Sequence, residues 1–146
     1  MNQIHKYTTL VDILTTLVGV GGDLEGAKII LMENADDLTQ SSVLADVTLP
    51  GYGGYAASAA VTWGTPHVQP DGQAVVIAGP KEFKPNSAVT PSTVNGVGLV
   101  DTAGTGLLSF TLLDEPIEFI DAMSVFMIGY TFTLTQPGTP TANIVP

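Results

Sequence analysis

Carboxylates are the reactive groups this chain supplies most freely, and histidines the scarcest. Its 146 residues carry fourteen Asp and Glu against four lysines, two histidines, no arginine and no cysteine. The acid pairs Asp36-Asp37, Asp114-Glu115 and Glu118 with Asp121 are the residue types a glycosidase needs, one acid to protonate the leaving oxygen and one carboxylate opposite it. Adjacent acids on loops of an acidic chain read first as a solvated face. Glu118, next to Phe119, is the one whose proton affinity desolvation would raise. A nucleophilic triad needs a histidine base oriented by a carboxylate. His5 falls in an N-terminal arm and His67 in a proline-flanked turn, and no Gly-x-Ser-x-Gly elbow occurs. Asp36-Asp37 and Asp71-Gly72 are oxygen-rich without the ligand spacing of a calcium loop. Two distant histidines and no thiol do not make a zinc site. The run Gly19-Val20-Gly21-Gly22-Asp23 lacks the Lys-Ser/Thr that ends a phosphate loop, and it closes a helix instead of opening one. The sequence therefore yields no catalytic residue, metal site or cofactor site. The expectation is a protein that is not an enzyme, with cleavage of polysaccharide through Glu118 and Asp121 as the remote competitor.

Binding chemistry is better represented. Tyr52, Tyr55 and Trp63 are ring faces on which a sugar could stack, which makes a glycan-binding tail or spike module the alternative reading. A single Trp at a strand end is more often an interface or core anchor. The formal charge of −10 and a pI near 4.1 leave no basic stripe to displace counterions from phosphate, so no nucleic-acid partner is expected. Attraction to an anionic membrane surface is disfavoured on the same ground. No apolar run approaches the ~20 residues of a membrane helix, and the first residues do not read as a signal peptide. With 45% hydrophobic residues and a mean hydropathy of +0.34, the surplus apolar surface is expected to face protein partners.

These groups must be positioned by a mainly β body. Leu10, Ile13, Leu14 and Leu17 fall at the i, i+3, i+4, i+7 spacing of one helical face. This predicts a short helix over residues 8–18, capped by Thr8 or Thr9, with Asp12 in its first turn. Gly19 and Gly21-Gly22 end it as a hinge, and so short a helix must pack on something. Residues 1–22 thus read as an N-terminal arm, residues 23–134 as the body and residues 135–146 as an extended Pro-rich tail. Strands are expected over residues 27–33, 44–49, 55–63, 74–78, 94–100, 107–113 and 124–134, separated by turns such as Pro70-Asp71-Gly72 and Ala103-Gly104. The cleanest alternation puts Phe126, Ile128, Tyr130, Phe132 and Leu134 on one face. Val125 and Met127 make the other face partly apolar, as in a central strand or a subunit interface. The fold class expected is an antiparallel β-sandwich or jelly-roll-like barrel.

One ordered series of residues resembles a known group. It runs Leu44-Ala45-Asp46-Val47-Thr48, Gly51-Tyr52, Tyr55, Trp63, Pro70-Asp71-Gly72, Ala74-Val75-Val76, Gly96, Leu99-Val100-Asp101, Gly104, Leu107-Leu108 and Asp114-Glu115-Pro116. This order is similar to that of small structural proteins of tailed bacteriophages, of the head decoration or cement type. It spans residues 36–134 and rests on common residue types. The resemblance implies a virion component on the capsid exterior that bridges neighbouring major capsid subunits, as a homo-oligomer and typically a trimer. It brings no catalytic residues. The contact residues expected on this reading are Leu10, Ile13, Leu14 and Leu17 on the helix, Tyr52, Tyr55 and Trp63, and Ile144 in the tail. Replacing the helix leucines by serine is expected to release the protein from its partner with its fold intact.

Overall fold

The computed structural model describes residues 7–86 and 91–134. The expected contact residue Ile144, the tail and His5 lie outside them. The architecture is mainly β: two three-stranded antiparallel sheets in a sandwich-like arrangement with one short N-terminal helix. One sheet has the order β1 (Lys28–Met32), β4 (Ser92–Val100), β5 (Leu107–Phe119). The other has the order β2 (His67–Val68), β3 (Ala74–Phe83), β6 (Phe126–Leu134). By contact density the chain divides into two interleaved units. The smaller takes its described residues from 7–25, 63–78 and 131–134, and the larger from 26–62 and 79–130.

In the smaller unit the helix α1 (Tyr7–Val18) buries Leu10 and Leu14 with Ala74 and Val76, while Trp63, Phe132 and Leu134 pack around them. The period of the apolar residues is the one expected, but its consequence differs. Leu14 is 0% exposed, so this face completes a core of the chain itself and is not held out as an arm. Leu17 packs at the edge of the same cluster, and of the four only Ile13, 45% exposed, faces water. The helix begins at Tyr7, which places Asp12 beyond the first turn. The stop is built as the glycines suggest. Gly19 N–H donates to the Thr15 carbonyl at 3.1 Å and Leu24 N–H to that of Leu17 at 2.9 Å. A Cβ on Gly22 would strike the carbonyl oxygens of Thr16 and Leu17, so the chain turns back only where no side chain exists.

The larger unit is organised by β4, the central strand of its sheet. β1 pairs with it from Lys28↔Val100 to Met32↔Gly96, and β5 lies antiparallel on its other side. The run Ile29-Ile30-Leu31-Met32 is buried at every position, because this sheet is covered on both faces, and such strands read as continuous apolar runs rather than alternations. On one face Ile30, Met32 and Val100 meet Ala35, Leu38, Leu44 and Val47. The covering residues were expected in part as a strand over 44–49. The covering segment forms two 3-10 turns instead, Ala35–Asp37 and Leu44–Asp46; Ala35 sits close over Gly96, and Asn34 ties the second turn through the Asp46 carbonyl and Thr48 N–H. On the other face, within the larger unit, the two sheets meet. The rings of Phe119 and Phe126 lie 4.9 Å apart, edge to face, and the hydroxyls of Ser109 and Tyr130 are 2.6 Å apart.

β6 shows the alternation read from its sequence. Ile128 and Tyr130 are buried, whereas Met127, Gly129, Thr131 and Thr133 are exposed. Its position is a correction, since it stands at the end of its sheet's order and not in the middle. β5 carries a wide irregularity. Between Val94↔Ile117 and Gly96↔Leu112, Leu113, Asp114, Glu115 and Pro116 stand opposite Asn95 alone. A bulge of this kind bends and twists a strand at the rim of a sheet.

Candidate functional site

Buried polar groups in the larger unit hold its scaffold together. The outer edge of β1 needs partners for its N–H groups, since buried backbone donors left unpaired are costly. Ile29 N–H donates to Ser58 Oγ at 2.8 Å, Leu31 N–H to the Tyr55 hydroxyl at 3.0 Å and Glu33 N–H to the Thr48 carbonyl at 2.8 Å. The carbonyls of Ala27 and Ile29 accept from Val61 and Ser58 N–H. Residues 55–63, expected as a strand, are thus an irregular strap that closes the edge of β1 largely with side-chain hydroxyls. Among the described residues its ladder-type pairing with strands is limited to two isolated bridges, Lys28↔Ala60 and Trp63↔Ala78. Its alanines, exposed at positions 56, 57, 59 and 60, have no apolar face to bury, which removes the main reason to form a ladder.

This assigns the aromatic residues. Tyr52 is 4% exposed. Its ring lies 4.7 Å from that of Phe119 and 5.4 Å from that of Tyr55, the latter edge-on at 85°. The expectation that Tyr52 offers its ring to a sugar or a partner is therefore corrected: the Gly51-Tyr52 turn inserts the ring into the core, and Ser92 Oγ accepts from Gly51 N–H. Tyr55 is half-buried, and loss of hydration pushes its hydroxyl up to about 12, against the lowering effect of the Leu31 N–H. Burial raises Tyr52 and Tyr130 in the same sense. Trp63 belongs to the smaller unit, half-buried, with Nε1–H donating to the Leu24 carbonyl at 2.8 Å. It is the anchor its position suggested, used within its own unit.

The acids mostly serve turns. Asp46 Oδ2 accepts from Val43 N–H, and Asp36 Oδ1 accepts from Asn95 Nδ2, whose Oδ1 takes the Ala35 N–H. Asn34 ties residues 46 and 48 in the same way, donating to the Asp46 carbonyl and accepting from Thr48 N–H, both at 2.8 Å. The Asp101 carboxyl accepts from Thr105 N–H at 2.9 Å, and this backbone donor leads in holding it below the usual carboxylate range. Glu118 projects to water while Phe119, on the opposite face, is fully buried. His67 is exposed, with Nδ1 3.1 Å from the Thr65 carbonyl. Among the described residues no three His, Asp or Glu side chains converge as a metal site.

Besides scattered exposed apolar residues such as Val43 and Leu112, the larger unit presents a turn and a cavity at its surface. The first is the turn joining β5 to β6. Ser124 Oγ accepts from Ile120 N–H at 3.1 Å, Asp121 Oδ1 accepts from Met123 N–H at 2.8 Å, and Ser124 N–H closes onto the Asp121 carbonyl at 3.1 Å. This fastened turn displays Ile120, Met123 and Val125, with Met123 84% exposed, and Met127 follows on the exposed face of β6. The second is a shallow cavity of about 240 Å³ lined by Tyr52, Ala56, Ala57, Ala59, Phe83 and Lys84, among others. Sequence reasoning passed over Met123. The signal was there in Asp121-x-x-Ser124, a spacing at which side-chain oxygens cap backbone N–H groups and fix a turn, next to a methionine with no helical or alternating partner.

No family model, curated protein or solved structure matches the chain.

Proposed function

We propose that the protein is a non-enzymatic structural part of a virion, a decoration or cement protein on the capsid exterior that self-associates and bridges neighbouring major capsid subunits. The observation that carries this reading is the hydrogen-bonded, apolar β5–β6 turn, exposed on a chain whose formal charge is −10. An acidic protein gains solubility from its charge. Ile120, Met123, Val125 and Met127 work against that gain unless a protein surface covers them. The polar side chains described above support the reading in a second way. Tyr55, Ser58, Asn34, Asn95 and Asp46 are each engaged in fastening a loop, which suits a rigid part bound on many sides, where modest contacts multiply. The resemblance of residues 36–134 to phage head proteins points the same way. A jelly-roll-like body, a trimer and a tail laid along a neighbour are the finer features that go with it.

The glycan-binding alternative loses its geometric basis in Tyr52, whose ring is buried, and in Tyr55, whose hydroxyl is engaged. The test is direct. Antibody raised against the chain labels the outside of intact virus particles from its source, seen by electron microscopy. Particles that carry no label, while the free protein is recognised, refute the proposal.

A further inference from the structure

We propose that the outer edge of β5 pairs with the same edge of a second copy, antiparallel about a two-fold axis at Phe110, so that two β1-β4-β5 sheets join into one. The contact rests on the reading of the chain as a self-associating part and names a surface through which two copies meet.

The backbone supplies the first reason. Among the described residues β5 pairs with β4 alone, so its other side is an edge. A Cβ on Gly98 would lie 3.2 Å from the Ser109 carbonyl oxygen, and one on Gly96 2.9 Å from that of Thr111. Both carbonyls therefore point at β4. In an antiparallel ladder such residues alternate with ones whose N–H and C=O point the other way. Phe110 and Leu112 present theirs to the open edge, and Leu108 has no partner in the register with β4.

The side chains select the strand that belongs there. From Leu107 to Leu113 the order is Leu-Leu-Ser-Phe-Thr-Leu-Leu, which reads the same in both directions once Ser and Thr count as one hydroxyl type. Pairing about a two-fold axis asks for such a match, because each position meets the one equally far beyond the axis. Phe110 then meets the partner's Phe110, Ser109 the partner's Thr111, and Leu108 the partner's Leu112. Aromatic pairs stabilise adjacent strands, and Leu108 and Leu112, both exposed in the single chain, leave water. The edge is blunted where the match ends. No charged residue lies within residues 107–113, while Asp114 and Glu115, both exposed, and Pro116 follow at once. Charge and proline are devices that keep foreign strands off an edge. The β1 edge of each copy is closed by Ser58, Tyr55 and Thr48, so the joined sheet ends in closed edges and this contact stops at two copies.

The experiment is the solution mass of the full chain by light scattering over a range of concentrations. The wild type is expected at an even multiple of 15.1 kDa. Leu112→Lys and Leu108→Glu, both at exposed positions, each set a charge against leucine in both halves of the contact. Each is expected to weaken it about tenfold, with unchanged circular dichroism. Combined in one chain they restore it, because residue 108 of each copy then faces an opposite charge at residue 112 of the other. Within one strand the two positions stand about 13 Å apart and cannot pair. A single cysteine in this cysteine-free chain reads the register. In Phe110→Cys the two Cα atoms lie about 5.5 Å apart across the axis, within disulfide reach, so oxidation is expected to give a covalent dimer. A wild type that stays at 15.1 kDa or at an odd multiple of it overturns the contact. So does an oligomer indifferent to Leu112→Lys and Leu108→Glu, a double variant that fails to recover, or a folded Phe110→Cys that oxidation leaves uncoupled. Virus particles labelled by antibody while the wild type stays at 15.1 kDa in solution overturn this contact and leave the virion reading standing. Unlabelled particles with a pair that answers to residues 108 and 112 do the reverse.

Discussion

Removing one oxygen from Tyr55 tests whether hydroxyl groups close the edge of β1. In Tyr55→Phe the ring keeps its edge-on contact with Tyr52, and the Leu31 N–H loses the acceptor it meets at 3.0 Å. Leu31 is fully buried, so the orphaned donor is not resolvated. The cost is then the desolvation penalty of an unmade bond, about 1–3 kcal/mol, and not the smaller net value of a hydrogen bond exchanged with water. For a chain near this length each kcal/mol lowers the melting temperature by roughly 2–4 °C, so a drop of several degrees is expected. Urea unfolding measures the stability. Amide exchange at Leu31 localises the effect, because its protection falls in the variant while that of the central strand β4 follows global stability. A stability loss under about 0.5 kcal/mol with Leu31 exchange unchanged would refute the reasoning, since the edge would then be closed by something other than this hydroxyl.

Three further outcomes follow from the same contacts. Burial pushes the Tyr55 hydroxyl from its usual 10.0 up to about 12. Its stabilising contribution is therefore complete below pH 10 and lost as pH rises towards 12, on the order of 2–3 kcal/mol. Alkaline unfolding monitored by circular dichroism should steepen in that window and be shallower in Tyr55→Phe. Gly96→Ala would drive a Cβ into Ala35 and to 2.9 Å from the Thr111 carbonyl, displacing the covering segment at a cost of about 1–3 kcal/mol, read by urea unfolding; a neutral result would show that the segment is free to lift. Leu14→Ala empties a fully buried position in the smaller unit and should cost about 2–5 kcal/mol. A loss below about 1 kcal/mol would return the helix to the role of a loosely attached arm.

What could be read in advance follows from what local pattern encodes. The helix, β6 and the both-faces-buried β1 were legible because each writes its burial as a period of 3.6, a period of 2, or an unbroken apolar run. Residues 44–49 and 55–63 were misread because their structure is decided elsewhere. The first stretch folds into a 3-10 turn with Asn34, outside the stretch itself, bonded to the Asp46 carbonyl and to Thr48 N–H. The second stays irregular because β1 uses its hydroxyls and backbone in place of a ladder. The same difficulty hid the roles of the aromatic residues. Tyr52 and Tyr55 sit three apart in a glycine-rich stretch that reads as exposed, yet Phe119, distant in sequence, draws one ring inward and Leu31 engages the other's hydroxyl.

The two edges of the β1-β4-β5 sheet are treated differently from the turn that follows β5. An unpaired edge invites association with any other strand, and proteins blunt it by capping, bulging or charge. The β1 edge is capped by Ser58, Tyr55 and Thr48. The β5 edge is interrupted where Leu113 to Pro116 bulge opposite Asn95, with Asp114 and Glu115 exposed and a proline that offers no N–H. Both devices restrict pairing of backbones, leaving only residues 107–112 of β5 open, and neither touches the turn between β5 and β6. There the backbone is closed on itself by Asp121 and Ser124, and only side chains are offered. A contact made that way depends on shape and charge, not on ladder bonds that any strand could supply. On the proposed reading as a self-associating part, Met123, 84% exposed, is the side chain whose replacement should most weaken association beyond the β5-paired dimer. Substitutions along the exposed face of β6 away from the turn should leave that association nearly unchanged, and Thr131→Lys, on the exposed face of β6, provides that control when self-association of Met123→Asp is measured by light scattering. A Thr131→Lys chain that dissociates as Met123→Asp does would move the interface from the turn to the sheet.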